Sequence, residues 1–375
     1  MIRCFKTEIE PTLEQKNKIN KTIGTCRFIY NFFIAHNIKR YENGEKYMND
    51  YAFSLWINND FIPDNPEYKW IKEVSTKAVR KSMANAHIAF KSFFEHKTGY
   101  PNFKKKNRSD VKMYFCKNSK NDCYCERHRI IIPTIGSVRL KEKGYLPTTK
   151  DGYVIKSGFV SVIAGRYFIS VNVELPDHFY ECNGEGIGID LGIKTFATLS
   201  NGIVYENINK MPKTLKVLSR IKKTQRELER KGKGSHNRKK QLLKLQKNYQ
   251  KLCNIRTDYV NKVIAEIVKT KPSFVAIENL HVSGMIRNRH LSDSIASLKF
   301  YEFRSKLENK GKELGIEIRI VNRWYPSSKL CHNCGKVTRK LSLADRTFIC
   351  NCGYVNDRDI NASLNIRDAT EYSIA

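Results

Sequence analysis

The stretch Glu185–Gly202, EGIGIDLGIKTFATLSNG, decides the fold. Ile187, Ile189, Leu191 and Ile193 alternate with Gly188, Asp190, Gly192 and Lys194. This is the period of two that sends successive side chains to opposite faces of a β-strand. Phe196–Leu199 continues the apolar run, and Ser200-Asn201-Gly202 reads as a hairpin turn. The pattern predicts a core strand carrying a single acid, Asp190, among glycines. A carboxylate taken out of water needs a compensating partner. Read alone, Asp190 is either a ligand to a cation or a strand-end acid bonded to a turn amide.

The rest of the chain bears on that choice. Its 375 residues allow two or three domains with their own cores. Lys and Arg number 68 against 37 Asp and Glu, a net charge of +31. A surplus of that size favours a polyanionic partner, nucleic acid first. A basic membrane-surface protein is the competing reading, and it is weakened because no apolar run is long enough to span a bilayer. The start, MIRCFKTEIEP, carries no apolar signal segment, so a cytoplasmic protein is expected. Of the 11 cysteines, four crowd near the C-terminus at metal-site spacing, which in a reducing compartment favours metal over disulfides. Cys4, Cys26, Cys182 and Cys253 are expected to be ordinary packed residues.

Outward from the central strand, the N-terminal part begins with a strand over residues 2–9. Pro11-Thr12 opens a helix, with Thr12 and Gln15 spaced as a capping box. Ile19, Ile23, Cys26, Tyr30 and Phe33 mark one face of it, and Val79, Met83, Ala86, Phe90 and Phe93 mark a second helix over Ser75–His96. These aromatic stripes read as core. Three lysines follow an aromatic turn in GYPNFKKK, a segment suited to phosphate contact. Short alternating strands over about 112–177 predict a small β-barrel. Within it Cys116, Cys123, Cys125 and His128 offer an irregular set of potential zinc ligands.

Past the central strand, Leu218, Ile221 and Leu228, then Leu242, Leu245, Tyr249 and Leu252, predict a basic helical hairpin turning at Lys231–Ser235. Its one-sided charge favours contact with nucleic acid. A helix face over Val260–Val268, a buried strand Phe274–Leu280 bearing Glu278, a helix over 293–313 and a strand at Ile316, Ile318 and Ile320 complete a mixed sheet covered by helices.

A third acid lies in Asn356–Ile366. Asp359 precedes a helical run and is preferred over Asp357 as the acid facing the sheet edge. Asp190, Glu278 and Asp359 converging there repel one another unless cations neutralise them, and two Mg2+ ions fit both the charge and phosphodiester chemistry. Cys331, Cys334, Cys350 and Cys352 form the pattern C-x2-C-x15-C-x-C, read as a structural zinc ribbon with His332 outside the ligand set. The one-residue spacer of the second pair is shorter than usual.

The motifs GIDLGIKTFATLSNG, VAIENL, WYPSSKLCHNCG and RTFICNCGYVNDRDINASLNI, in this order, resemble the TnpB family of transposon-encoded nucleases, as do GYPNFKKK and the segment Trp70–Phe94. The resemblance covers nearly the whole chain. It implies an α+β multidomain protein. Residues 1–10 would give the first strand of a wedge β-barrel, 11–98 a helical recognition domain and 99–180 the rest of the wedge. Residues 181–328 would form an RNase H-like, RuvC-type nuclease domain bearing the hairpin 211–253. A zinc ribbon over 329–353, a final nuclease segment over 354–366 and a tail over 367–375 would follow. The resemblance also implies that Asp190, Glu278 and Asp359 hold catalytic Mg2+ (or Mn2+), with structural Zn2+ in the ribbon. The implied partners are a guide RNA from the transposon end and target double-stranded DNA cut beside a short flanking motif. The rival readings are an RNA-guided or sequence-specific DNA binder that regulates transposition without cutting, and an RNase H-like transposase.

Overall fold

The structure is a computed structural model that describes residues 2–106, 110–117, 123–176, 181–338, 341 and 345–375. Small parts of the expected wedge and ribbon segments, at 107–109, 118–122, 177–180, 339–340 and 342–344, lie outside the described residues. The chain divides into two units, Met1–Pro176 and Asp177–Ala375. Among the described residues no helix is long and apolar enough to cross a membrane.

In the first unit, β1 (Ile2–Glu10) leads into α1 (Leu13–Glu42), where Thr12 and Gln15 form a reciprocal capping box. Short helical turns over Asp50–Glu73 and α2 (Thr76–Phe94) follow. Strands β2 (Met113–Cys116), β3 (Tyr124–Cys125), β4 (Arg129–Ile132), β5 (Gly136–Leu140), β6 (Val154–Ile163) and β7 (Arg166–Glu174) then join β1 in an antiparallel sheet of order β2-β6-β7-β1-β5-β4-β3. β1 lies inside that sheet, so the helices are an insertion after its first strand. β2 and β3 are the two edges of this sheet, and no pairing joins them among the described residues. Ile19, Cys26 and Ala78 pack into the core of the sheet, while Ile29, Phe33, Phe53, Met83 and Phe90 form a separate helical core. Cys123 and Cys125 are buried in the sheet's apolar core and His128 is exposed. The irregular Cys/His set therefore gathers no metal site among the described residues. Cys26 is buried, as expected of a packed residue, whereas Cys4 and Cys253 are exposed.

The second unit is built on β8 (Ile187–Leu191), β9 (Thr195–Leu199) and β10 (Val204–Glu206), followed by α3 (Pro212–Glu229) and α4 (His236–Lys269). Next come β11 (Phe274–Glu278), α5 (Ser292–Leu298), α6 (Phe300–Leu314), β12 (Glu317–Val321), β13 (Thr347–Ile349), β14 (Val355–Asp357), α7 (Arg358–Arg367) and β15 (Tyr372–Ile374). The sheet order is β10-β9-β8-β11-β12-β15, with β8, β11 and β12 parallel and the outer strands antiparallel. This is the RNase H-like arrangement. Its core joins Ile187, Ile189 and Phe196 to Val263 and Ile267 of α4 and Phe303 of α6.

Four expectations change here. The hairpin's second arm and the helix after it are one 34-residue helix, because nothing between Cys253 and Val260 breaks it. Its packed face is also more polar than the leucine stripe implies. Leu242 and Tyr249 are exposed, while Gln241 bonds Glu227 at 2.6 Å and Asn248 bonds Thr224 at 3.2 Å. The helix expected over 293–313 divides at Lys299, whose left-handed φ of +59° separates α5 from α6. Its ammonium bonds Thr257 at 2.6 Å and Glu302 at 2.5 Å. The supposed tail is a strand: β15 pairs with β12, and the Arg319 guanidinium lies 3.5 Å from the centroid of Phe274 and 4.6 Å from that of Tyr372. Stacking a cation between two rings supplies what the tail's polar composition conceals.

Gly188 shows why the motif needs glycine. α7 lies against β8 so closely that a Cβ at Gly188 would stand 2.0 Å from the Ser363 carbonyl oxygen and 2.5 Å from the Arg367 amide nitrogen. Both neighbours are backbone and cannot turn aside. Gly188→Ala is therefore expected to lower the melting temperature by several degrees, in line with an overpacking cost of about 1–3 kcal/mol. A thermal melt identical to wild type rejects this account of the strand–helix contact.

Candidate metal centres

β8 and β11 run parallel with Ile189 opposite Ile277, and Glu278 lies opposite Val321 of β12. Asp190 and Glu278 thus stand at one level, at the carboxyl ends of adjacent strands. Burial holds the Asp190 carboxyl well above the ordinary carboxylate range; the negative charges of Glu278 and Asp359 add to this, Arg358 opposes it and Asp357 adds again. Two acids from distant parts of the chain therefore bear on the buried Asp190. Glu278 is raised by burial too, and partly offset by a hydrogen bond donated by Ser327 Oγ at 2.5 Å.

Asp357 and Asp359 have separate tasks. Asp357 is the N-cap of α7, its Oδ1 accepting the backbone N–H groups of Asp359 at 2.8 Å and Ile360 at 3.1 Å. That satisfies helix-start donors that would otherwise lack partners. Asp359, in the first turn, bears on Asp190 through its charge, although among the described residues only the four cysteines below, and not the three acids, bring their ligand atoms within 4.8 Å of one another. Like charges brought together out of water favour a proton or a cation among them. An all-carboxylate donor set of this kind suits a hard divalent ion such as Mg2+ or Mn2+.

Sequence reasoning missed the supports of this cluster. Ser327 is 5% exposed. Its carbonyl accepts from Asn365 Nδ2 at 2.8 Å, and Asn365 also bonds the Leu330 carbonyl at 2.7 Å. Asn361 bonds that same carbonyl at 2.8 Å and accepts from the His332 amide at 3.2 Å. Two asparagines four residues apart on the buried face of α7 thus clamp the loop that presents Ser327. The available signal was a polar i, i+4 pair on an otherwise apolar helix face.

The second centre is the group Cys331, Cys334, Cys350 and Cys352, whose sulfurs all lie within 4.8 Å of one another. Two of these separations are 3.7 Å (Cys331–Cys352) and 3.6 Å (Cys334–Cys350). A tetrahedral zinc with arms of ~2.3 Å has edges of about 3.8 Å, so the spacing fits a four-thiolate zinc site. Gly335 (φ +70°) and Gly353 (φ +89°) take left-handed turns behind the two pairs. The shortened second pair still closes, since Cys350 accepts the Gly353 amide at 3.0 Å and donates to the Tyr354 carbonyl at 2.9 Å. The backbone N–H of Tyr354 does most to lower the Cys352 thiol, to about 6, which favours the thiolate that zinc binds. His332 contributes no ligand to the group.

The sheet order, the acids at its edge and the four-cysteine ribbon define a RuvC-like protein of the RNase H-like class. Comparison with known proteins agrees. Residues 300–366 match the family described as "Cas12f1-like, TNB domain", 170–289 the family described as "Probable transposase", and 1–46 one described as "Helix-turn-helix domain". In this structure the last segment folds as a strand and one long helix. A Streptomyces pristinaespiralis protein named "Putative RNA-guided DNA endonuclease" is 30% identical over 97% of this chain and 88% of its own length. The "Putative RNA-guided DNA endonuclease InsQ" of Escherichia coli K12 is 29% identical over 97% of this chain and 91% of its own. In fold, the chain is similar to the protein of a Cas12f1–sgRNA–target DNA complex, with a TM-score of 0.64 at 14% identity over 100% of this chain and 99% of that one. The chain belongs to the transposon-associated TnpB family.

Two measurements test the centres. Because the folded Asp190 holds its proton more tightly than the unfolded chain does, its contribution to stability is present at low pH and is lost as pH rises from the unfolded value toward the raised folded one. In chelator-treated protein, Asp190→Asn is thus expected to raise the melting temperature at pH 8, roughly 2–4 °C per kcal/mol relieved, and to change it less at pH 5. A lower melting temperature at pH 8 rejects mutual repulsion at the edge. For the ribbon, elemental analysis is expected to find about one zinc per chain, lost on replacing Cys331 and Cys350 by serine; zinc-free, folded wild-type protein rejects the site.

Proposed function

We propose that this protein is an RNA-guided, Mg2+- or Mn2+-dependent endonuclease that cuts double-stranded DNA beside a short flanking motif, loaded with a guide RNA from its transposon's end. The observation that supports this reading is that Asp190 and Glu278 stand at one level on adjacent strands and that the charges of Glu278 and Asp359 both bear on the buried Asp190. Two divalent ions there would activate water and neutralise charge on the phosphodiester. The chain's own part is to hold ligands in place. Ser327 fixes the Glu278 carboxylate, the Asp357 cap fixes the start of α7, and Gly188 lets α7 lie directly against β8.

The names of the relatives, which describe RNA-guided DNA endonucleases, support the guide and the target class. The charge distribution supports them as well. Arg220, Lys222, Lys223, Arg226 and Arg230 are exposed along α3 around a shallow groove. Such a row suits a phosphate backbone, and binding there should weaken steeply with salt. The ribbon, closed by four thiols, takes a structural role. A reducing, cytoplasmic setting goes with those free thiols.

Protein purified with its RNA is expected to cut a plasmid that carries a sequence matching the guide. Asp190→Ala should reduce cutting by at least 1,000-fold, about 4 kcal/mol of transition-state stabilisation, while leaving RNA and target binding within twofold. Loss of binding together with cutting assigns Asp190 a structural role. Site-specific cutting by RNA-free protein favours a transposase.

A further inference from the structure

Trp324 is 86% exposed, although burying an indole is strongly favourable. It sits three residues past Val321, which lies opposite Glu278 across the β11–β12 pair. Adjacent strands are about 4.8 Å apart and three residues span at most about 10 Å, so the ring lies within a few nucleotide steps of the acid edge. Its backbone is fixed. The Trp324 amide donates to Asn322 Oδ1 at 3.0 Å, the Tyr325 amide donates to the Asn322 carbonyl at 3.0 Å, and Pro326 follows. A turn built this rigidly around an outward-facing indole calls for a function.

Two hollows meet there. One, of about 460 Å³, holds Glu278, Asn279, Arg304 and Arg323, with the 74% exposed Tyr301 on its rim. The other, of about 650 Å³, holds Asn279, Arg323 and Trp324. Asn279, the residue after Glu278, lies between two guanidinium groups: its side-chain oxygen accepts from Arg304 at 2.8 Å and its carbonyl from Arg323 at 3.4 Å. Arg304 is itself paired with Glu308 at 2.7 Å, so of the two it is Arg323 that is offered to a phosphate, and an open ring that suits a base lies beside it on one path to the acids.

We propose that Trp324 is a stacking residue for single-stranded DNA: the unpaired strand being cut lays a base on the indole while Arg323 holds the adjoining phosphate, which sets the strand over Asp190 and Glu278. Base–aromatic stacking tolerates any sequence, because every base has a π-face. This inference rests on the nuclease reading above. The site takes the unpaired strand itself and does not depend on how the target was chosen.

The test compares Trp324→Ala and Trp324→Phe in RNA-loaded protein. Trp324→Ala is expected to slow cutting roughly 5- to 100-fold, the range for losing one stacked base, with target binding within twofold of wild type. Trp324→Phe, which keeps an aromatic face, should stay within about threefold. A second readout does not depend on cutting. In the Asp190→Ala background a short oligothymidine should quench tryptophan fluorescence, and Trp324→Phe should remove most of that quenching although Trp56 and Trp70 remain. Wild-type cutting by Trp324→Ala, equal losses in both variants, or quenching that survives Trp324→Phe overturns the proposal. If wild-type protein cuts nothing, the nuclease reading fails, and the quenching result alone then decides whether Trp324 takes a strand.

Discussion

Mutual repulsion among carboxylates at one sheet edge is the constraint on which the second unit depends. Burial and the charges of Glu278 and Asp359 both work against an ionised Asp190, so the chain must hold the acids together against their own electrostatics. It does so with close packing and with hydrogen bonds to the carboxylates. A helix backbone is seated on a glycine, a capping carboxylate ties down the first turn of α7, and a buried hydroxyl holds Glu278. Strain of this sort persists only where the surrounding structure over-determines it.

The ribbon and the acid edge are parts of one construction. Cys350 and Cys352 precede β14, which ends at Asp357, the cap of α7. Cys331 ends the loop that carries Ser327, and the buried asparagines of α7 bind the carbonyls of that same loop. Each end of the ribbon is therefore tied, within a few residues, to a group that positions an acid. Closing the four thiols on a metal orders the turns from which both ties depart, so a site with no open ligand position can still matter for the geometry of the other centre.

The central strand was legible in the sequence because alternation and a single acid are local signals, and its acid edge was reachable because VAIENL and DRDINASLNI show their own periods. The cysteine ribbon was legible for a like reason, since ligand spacing is a property of sequence. What escaped was set by tertiary contact. Lys299 breaks a helix that propensity would continue, because its ammonium finds Thr257 and Glu302. The terminal residues form a strand because Arg319 lies between two rings, one of them more than fifty residues further along the chain. Ser327 and Asn365 looked like ordinary polar residues until the loop and α7 were brought together. The sequence showed Asp190 set among glycines, but not that Gly188 is needed for the absence of a side chain under α7.

The 34-residue helix α4 extends this to the scale of the whole unit. At 1.5 Å per residue it is about 51 Å long, and neither proline nor glycine interrupts it between Ser235 and Thr270. One end packs on α3 and the other under the sheet, so the helix acts as a lever with no hinge of the kinds that bend helices. Force applied at the tip of the hairpin reaches the β8–β11 floor as torque rather than being absorbed along the way. Whatever grips that tip is held at a fixed radius from the acids, as by the arm of a compass.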